Sequence, residues 1–156
     1  MKKIIFICTG NTCRSAMAQG YMKKIVEEMK LQIEVYSAGI YAQDGEKASL
    51  EAKEVMKKYG VDLEKHRATS LKKSCILKAD IILCATLAHK QIIIQMFPEL
   101  KDKVYTIKEY AYGIGSYSKD IQDPWGQNIN SYENCAKEIT DAIKEVVKKQ
   151  LDEKKE

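Results

Sequence analysis

Residues 8 to 15 read Cys8-Thr9-Gly10-Asn11-Thr12-Cys13-Arg14-Ser15, directly after the apolar run Ile4-Ile5-Phe6-Ile7. A cysteine thiolate is a nucleophile, and an arginine guanidinium is a planar fork that holds two phosphate oxygens. Five residues separate Cys8 from Arg14, so a loop can curl until the first faces a bound phosphate and the second grips it. Arg14 stands out by composition: of 26 basic residues only Arg14 and Arg67 are arginine. Thr9 to Cys13 would supply the backbone N–H groups of an anion cradle. Gly10 is expected to take a φ that other residues resist, and Asn11 tolerates left-handed geometry and can tie the loop with its side chain. Ser15 can donate a hydrogen bond to the Cys8 sulfur. Neither G-x-G-x-x-G nor G-x-x-x-x-G-K-[ST] occurs, so the cradle is of another kind.

Displacement at phosphorus also needs a proton for the leaving group. The candidate is Asp123, in Asp123-Pro124-Trp125-Gly126, because proline restricts the residue before it to extended geometry.

These residues need elements to hold them. The apolar run Lys3–Ile7 predicts a buried strand, and Ala16–Leu31 predicts a helix from Met17, Tyr21, Met22, Ile25, Val26 and Met29. Further strands are predicted at 33–36, 79–84 and 103–107. Helices are predicted at 45–59, ending at Gly60, and at 87–97 and 130–151, with a short one at 70–77. The Gly/Tyr/Ser-rich stretch 109–122 reads as a loop. Strands alternating with helices indicate α/β: a three-layer sandwich with a four-stranded parallel sheet and helices on both faces. Ligands bind such sheets beyond the carboxyl ends of the strands. The octet, Ser37, Ala85-Thr86 and the Gly/Tyr loop all fall at such ends.

The 156 residues suit one domain, residues 1–151, followed by a charged tail, 152–156, that is expected to fray. A net charge of +4 is too mild to imply nucleic acid. The apolar run is too short for a secretory signal, and no stretch approaches a membrane span, so a cytoplasmic protein with no membrane partner is expected. The five cysteines are an odd count, two of them inside one motif, which suits reduced thiols rather than a disulfide framework.

The octet, Ser37-Ala38-Gly39, His66-Arg67 and Asp123-Pro124 together resemble the low-molecular-weight protein tyrosine phosphatases through essentially the whole chain. The resemblance implies that Cys8 attacks phosphorus to form a phosphocysteine. Arg14 and the loop amides would bind the phosphoryl oxygens, and Asp123 would protonate the leaving group and then activate water. No metal or cofactor is implied, and inorganic phosphate is the product. Asn11, Ser15, Ser37 and His66 match the family's network that shapes the loop. Cys13 matches a second loop cysteine that can pair reversibly with Cys8. His89 reads as a surface residue, and Cys75, Cys84 and Cys135 read as core. Ala16 and Gln19 depart from the family, where proline and glutamate are common.

A deep pocket excludes phosphoserine and phosphothreonine and leaves two phosphorylated protein side chains, phosphotyrosine and phosphoarginine. Thr12 discriminates: tyrosine-directed members commonly carry a bulky aliphatic residue there, and the bacterial protein arginine phosphatases carry threonine. A hydroxyl suits a guanidinium, whose buried donors need partners. The segments 102–110 and 89–91 also resemble the arginine-phosphatase branch. Tyr41, Tyr112, Tyr117 and Trp125 are candidate cleft walls that serve either substrate. Phosphoarginine is favoured, phosphotyrosine is the alternative, and a monomer is expected. A thiol-dependent arsenate reductase using Cys75 and Cys84 is a remote alternative, and a non-catalytic phosphate-binding module would be expected to lose Cys8 or Asp123.

Overall fold

The computed structural model describes residues 1–113 and 119–155. Four strands form one parallel sheet: β1 (Lys2–Cys8), β2 (Ile33–Gly39), β3 (Ile81–Cys84) and β4 (Val104–Thr106), in the order β2-β1-β3-β4. Among the described residues, five α-helices connect and follow them: α1 (Arg14–Met29), α2 (Leu50–Lys57), α3 (Leu87–Met96), α4 (Ile107–Tyr112) and α5 (Ile129–Lys155).

The alternation of β1 splits the core in two, because successive side chains in a strand point to opposite faces. Ile4 and Phe6 join Leu83, Met17, Met22, Ile139 and Ile143 on the face covered by α1, α2, α4 and α5. Ile5 and Ile7 join Ile82, Cys84 and Ile93 on the face covered by α3. Each of these four β1 residues is fully buried. That is why β1 reads as an unbroken apolar run, as central parallel strands do.

Several boundaries differ from the sequence reading. The predicted helix 45–59 forms only over α2, capped by the Ser49 side chain, which accepts from the Ala52 N–H at 3.2 Å. Gly45 sits at φ 88°, incompatible with a helix, and its N–H donates to the Ala68 carbonyl at 2.9 Å. The stretch around Lys47 instead bridges antiparallel to Arg67. Segment 70–77 forms two 3₁₀ turns, Leu71–Lys73 and Ile76–Lys78. The start of the predicted loop 109–122 is helical, because Thr106 and Glu109 form a capping box that nucleates α4. The last helix continues beyond Leu151, and Glu153 pairs with Lys2 of β1.

Candidate active site

The carboxyl ends of β1 and β2 lie side by side, with Cys8 paired to Gly39. The octet leaves β1 there and bends across the end of β2. The Ile40 and Tyr41 N–H groups donate to the carbonyls of Cys8 and Thr9 at 3.0 and 2.9 Å. This crossing requires glycine at position 39: a Cβ there would stand 2.6 Å from the Thr9 carbonyl oxygen and 2.9 Å from the Asn11 nitrogen.

Within the octet the left-handed residue is Asn11, at φ 58°. Gly10 has a negative φ, contrary to expectation, and a Cβ there would meet only Thr12 Oγ1, at 3.7 Å. Gly10 therefore contributes open space in the cleft rather than special backbone geometry. Asn11 has no exposed surface and organises the loop. Its Nδ2 donates to Ser15 Oγ at 2.7 Å and to Ser37 Oγ at 2.9 Å, and its Oδ1 accepts from the Thr69 N–H at 2.8 Å. The Asn11 carbonyl lies 2.7 Å from His66 Nε2. Burial pushes the His66 imidazole below its ordinary range, which favours the neutral ring.

The bonds at Asn11 give the network a direction. Ser15 Oγ accepts from Asn11 and lies 2.9 Å from Cys8 Sγ; toward a Cys8 thiolate, which has no proton to give, the Ser15 hydroxyl is the donor. The Asn11 backbone N–H adds a second donor to Cys8 Sγ at 3.3 Å. On the other branch, Ser37 Oγ accepts from Asn11 and donates to Gln19 Oε1 at 2.5 Å. Gln19 Nε2 donates to the Val35 carbonyl at 3.1 Å, which turns Oε1 toward Ser37. The glutamine that departs from the family pattern is thus an integrated member of the network.

Arg14 opens α1 and is only 4% exposed. One guanidinium nitrogen donates to the Ile121 carbonyl at 3.0 Å, and the other lies 3.5 Å from Asp123 Oδ2. The segment carrying Asp123 is held to the sheet edge by the Ile121 N–H donating to the Ala85 carbonyl at 2.9 Å, and by Asp120 accepting from the Leu87 N–H at 2.8 Å. Asp123 Oδ1 accepts from the Trp125 N–H at 3.1 Å. A turn closes behind it, from the Gln127 N–H to the Pro124 carbonyl at 3.0 Å, with Gly126 at φ 78° in its third position. The carboxylate is half exposed, open to a substrate.

His89 was expected on the surface; it is 7% exposed and contacts the octet at Thr9. Thr86 caps α3 by accepting the His89 N–H at 3.1 Å, and its Oγ1 lies 3.0 Å from Nδ1 of the same residue. Nε2 lies 2.9 Å from Thr9 Oγ1, which also receives the Arg14 guanidinium at 3.5 Å. Burial, with the nearby Arg14 charge, pushes the imidazole down to about 4, so the ring is neutral at neutral pH. The signal was a histidine three residues after a capping threonine, at the end of a central strand.

Cys8, Thr9, Gly10, Thr12, Cys13 and Arg14 line a cleft of about 280 Å³, together with Tyr41, Asp123 and Trp125. Tyr41 and Trp125 are 74% and 71% exposed, a pair of open aromatic rims. Gln43 and Glu46 also line the cleft and were not anticipated; the pairing of 45–47 with 67–68 brings them there. Tyr112 packs against the core instead, and Tyr117 lies outside the described residues. Cys13 Sγ lies 3.4 Å from Ser49 Oγ and 3.5 Å from the Tyr132 hydroxyl, and burial pushes its thiol up. All five thiols are free. Cys84 and Cys135 are core residues as expected, whereas Cys75 is half-buried.

A family model described as low molecular weight phosphotyrosine protein phosphatase matches residues 3–156. The chain belongs to this family. It is 40% identical to a protein-arginine-phosphatase of Geobacillus stearothermophilus over 148 residues, 94% of this chain and 95% of that one. It is 35% identical to the low molecular weight protein-tyrosine-phosphatase PtpB of Staphylococcus epidermidis, over 92% of this chain and 96% of that one. Among solved structures it is similar to a YwlE arginine phosphatase mutant with a phosphorylated active site serine, at a TM-score of 0.87 and 37% identity, covering 94% of each chain. The family's α/β fold, with its four-stranded parallel sheet, is the one observed here.

Proposed function

We propose that this family member is a cysteine-dependent protein phosphatase whose preferred substrate is phosphoarginine. The observation that carries the chemistry is the Cys8 sulfur, at the end of a directed chain of donors, sharing one cleft with the Arg14–Asp123 pair. In the proposed first step the sulfur attacks phosphorus, an S–P bond forms and the bond to the leaving group breaks. Asp123 delivers a proton to the departing nitrogen or oxygen. Arg14 and the N–H groups of Thr9 to Ser15 stabilise the phosphoryl oxygens as charge shifts onto them. In the second step water attacks phosphorus, Asp123 takes its proton, and phosphate leaves with the thiolate restored. Ser37 and His66 hold the loop through Asn11.

Three features support a guanidinium. Thr12 places a hydroxyl in the cleft, and Glu46 a carboxylate, which complement a polar, donor-rich leaving group better than a phenol ring. The named activity of the Geobacillus relative points the same way. Tyr41 and Trp125 do not discriminate, because their exposed rings can stack on a phenol ring or meet a guanidinium by cation–π contact, and phosphotyrosine is the second reading. Arsenate reduction gains no support: Cys84 is fully buried in β3 with its thiol pushed up by burial, and Cys75 does not line the cleft. The chain is further read as one catalytic domain over residues 1–151, monomeric and cytoplasmic. Its free thiols are in keeping with that, and among the described residues no helix is long and apolar enough to cross a membrane.

The test is kcat/KM on phosphoarginine and phosphotyrosine peptides, with Thr12→Ile alongside. The expected result is a preference for phosphoarginine that shifts toward phosphotyrosine by about tenfold in the variant. A ratio that Thr12→Ile leaves unchanged refutes the discriminating role of Thr12.

A further inference from the structure

A larger cavity lies behind the phosphate-loop candidate rather than in front of it. It measures about 670 Å³ and opens between α1 and the segment 60–75. Fully buried Ile5 and Ala16 contribute to its lining. Five lysine or arginine side chains line it, against two carboxylates, Glu27 and Asp62. Among the described residues no carboxylate lies within ion-pair distance of Lys23, Lys65 or Arg67, whereas Lys24 and Lys73 are paired with Glu28 and Asp44. A concave site with surplus cations concentrates anions, and its volume exceeds what a single phosphate needs. The aromatic ring of Tyr36 also lines it.

The same cavity is lined by Gln19, Ser37, His66 and Thr69. Ser37, His66 and Thr69 each bond Asn11, and Gln19 bonds Ser37. Asn11 in turn orients Ser15 toward Cys8 Sγ. An occupant touching the Gln19 amide or the Ser37 hydroxyl is therefore three hydrogen bonds or fewer from the Ser15 oxygen. We propose that this rear cavity binds a small anion carrying linked phosphate groups, and that its occupancy tunes turnover at Cys8 through Gln19, Ser37 and Asn11. The kinetic half rests on the phosphatase reading above; the binding half does not.

The experiment titrates inorganic tripolyphosphate, and separately ATP, into the intact protein by calorimetry with the front cleft saturated by orthovanadate. One-to-one binding that persists with vanadate present is expected. Lys23→Ala/Lys65→Ala should weaken it by about tenfold or more, since two charge-assisted contacts are lost. Lys101→Ala/Lys103→Ala, on the exposed turn 98–103, should leave it unchanged. Equal affinities assign the bare phosphate chain, and tighter ATP binding assigns a nucleotide; both support an oligophosphate site. Displacement by vanadate, or equal weakening in the two double variants, overturns it. With p-nitrophenyl phosphate, tripolyphosphate should change kcat in the parent protein and not in Lys23→Ala/Lys65→Ala. A rise in KM alone would mean front-cleft competition and would overturn the coupling. Should the parent protein release no phosphate, the phosphatase reading fails, and should Cys8→Ser retain turnover, its cysteine dependence fails, while the titration result stands in either case.

Discussion

Acidification of the His89 site tests how the fold holds its loop. The imidazole lies between Thr86 and Thr9, beside Arg14, and its pKa is lowered from 6.5 to about 4. The folded value lies below the unfolded one, so the unfolded chain takes up a proton first as pH falls. The stability carried by the neutral ring is complete above pH 6.5 and is lost progressively toward pH 4. At pH 5 this corresponds to about 2 kcal/mol, from 1.36 kcal/mol per pH unit with both titrations counted. His66 is shifted in the same direction, so the effect must be read as a difference. Urea unfolding of the parent protein and His89→Gln, at pH 7.5 and pH 5, isolates it because glutamine does not titrate. The parent is expected to lose about 2 kcal/mol more than the variant between the two conditions. Equal losses would refute the buried neutral imidazole and, with it, the tie from α3 to Thr9.

Other substitutions probe the loop and the cleft. Asn11→Ala removes three buried side-chain bonds and places alanine at φ 58°; it should cost about 3–5 kcal/mol in urea unfolding and most of the activity. Gly39→Ala drives a methyl against the Thr9 carbonyl, so kcat/KM should fall by at least about tenfold, with about 1–3 kcal/mol of stability lost. Unchanged kinetics would show that the loop does not need that close crossing. Glu46→Gln should lower kcat/KM for phosphoarginine peptides by about threefold to tenfold and leave phosphotyrosine peptides nearly unaffected, because only the guanidinium loses a carboxylate partner.

Much of the arrangement was readable because it rests on local patterns. The apolar run of β1 fixes a central parallel strand, and the octet after it lies at a strand end on any right-handed βαβ path. Asn11 and Ser37 were assigned to one network, and the structure joins them at 2.9 Å. Features that escaped depend on distant partners. The pairing of Gly45 and Glu46 with Ala68 takes residues 45–48 out of a helix and puts Glu46 in the cleft. His89 looked exposed because its helix carries a lysine, yet the Thr86 cap turns it inward onto Thr9. Of the two loop residues expected to take unusual backbone geometry, Asn11 does so at φ 58°, its strain offset by side-chain bonds to Ser15, Ser37 and Thr69, whereas Gly10 does not. The Thr106–Glu109 capping box was present as T-x-x-E but hidden at the edge of a glycine-rich stretch.

In the proposed mechanism the phosphoryl group passes through the Cys8 sulfur. Asp123→Ala should slow release of that group, so rapid acid quench during turnover of p-nitrophenyl phosphate, followed by peptide mass analysis, measures it directly. The expected result is one phosphoryl group on the peptide carrying Cys8, absent in an inactive Cys8→Ser. A phosphoryl group on another residue, or turnover retained by Cys8→Ser, would contradict it.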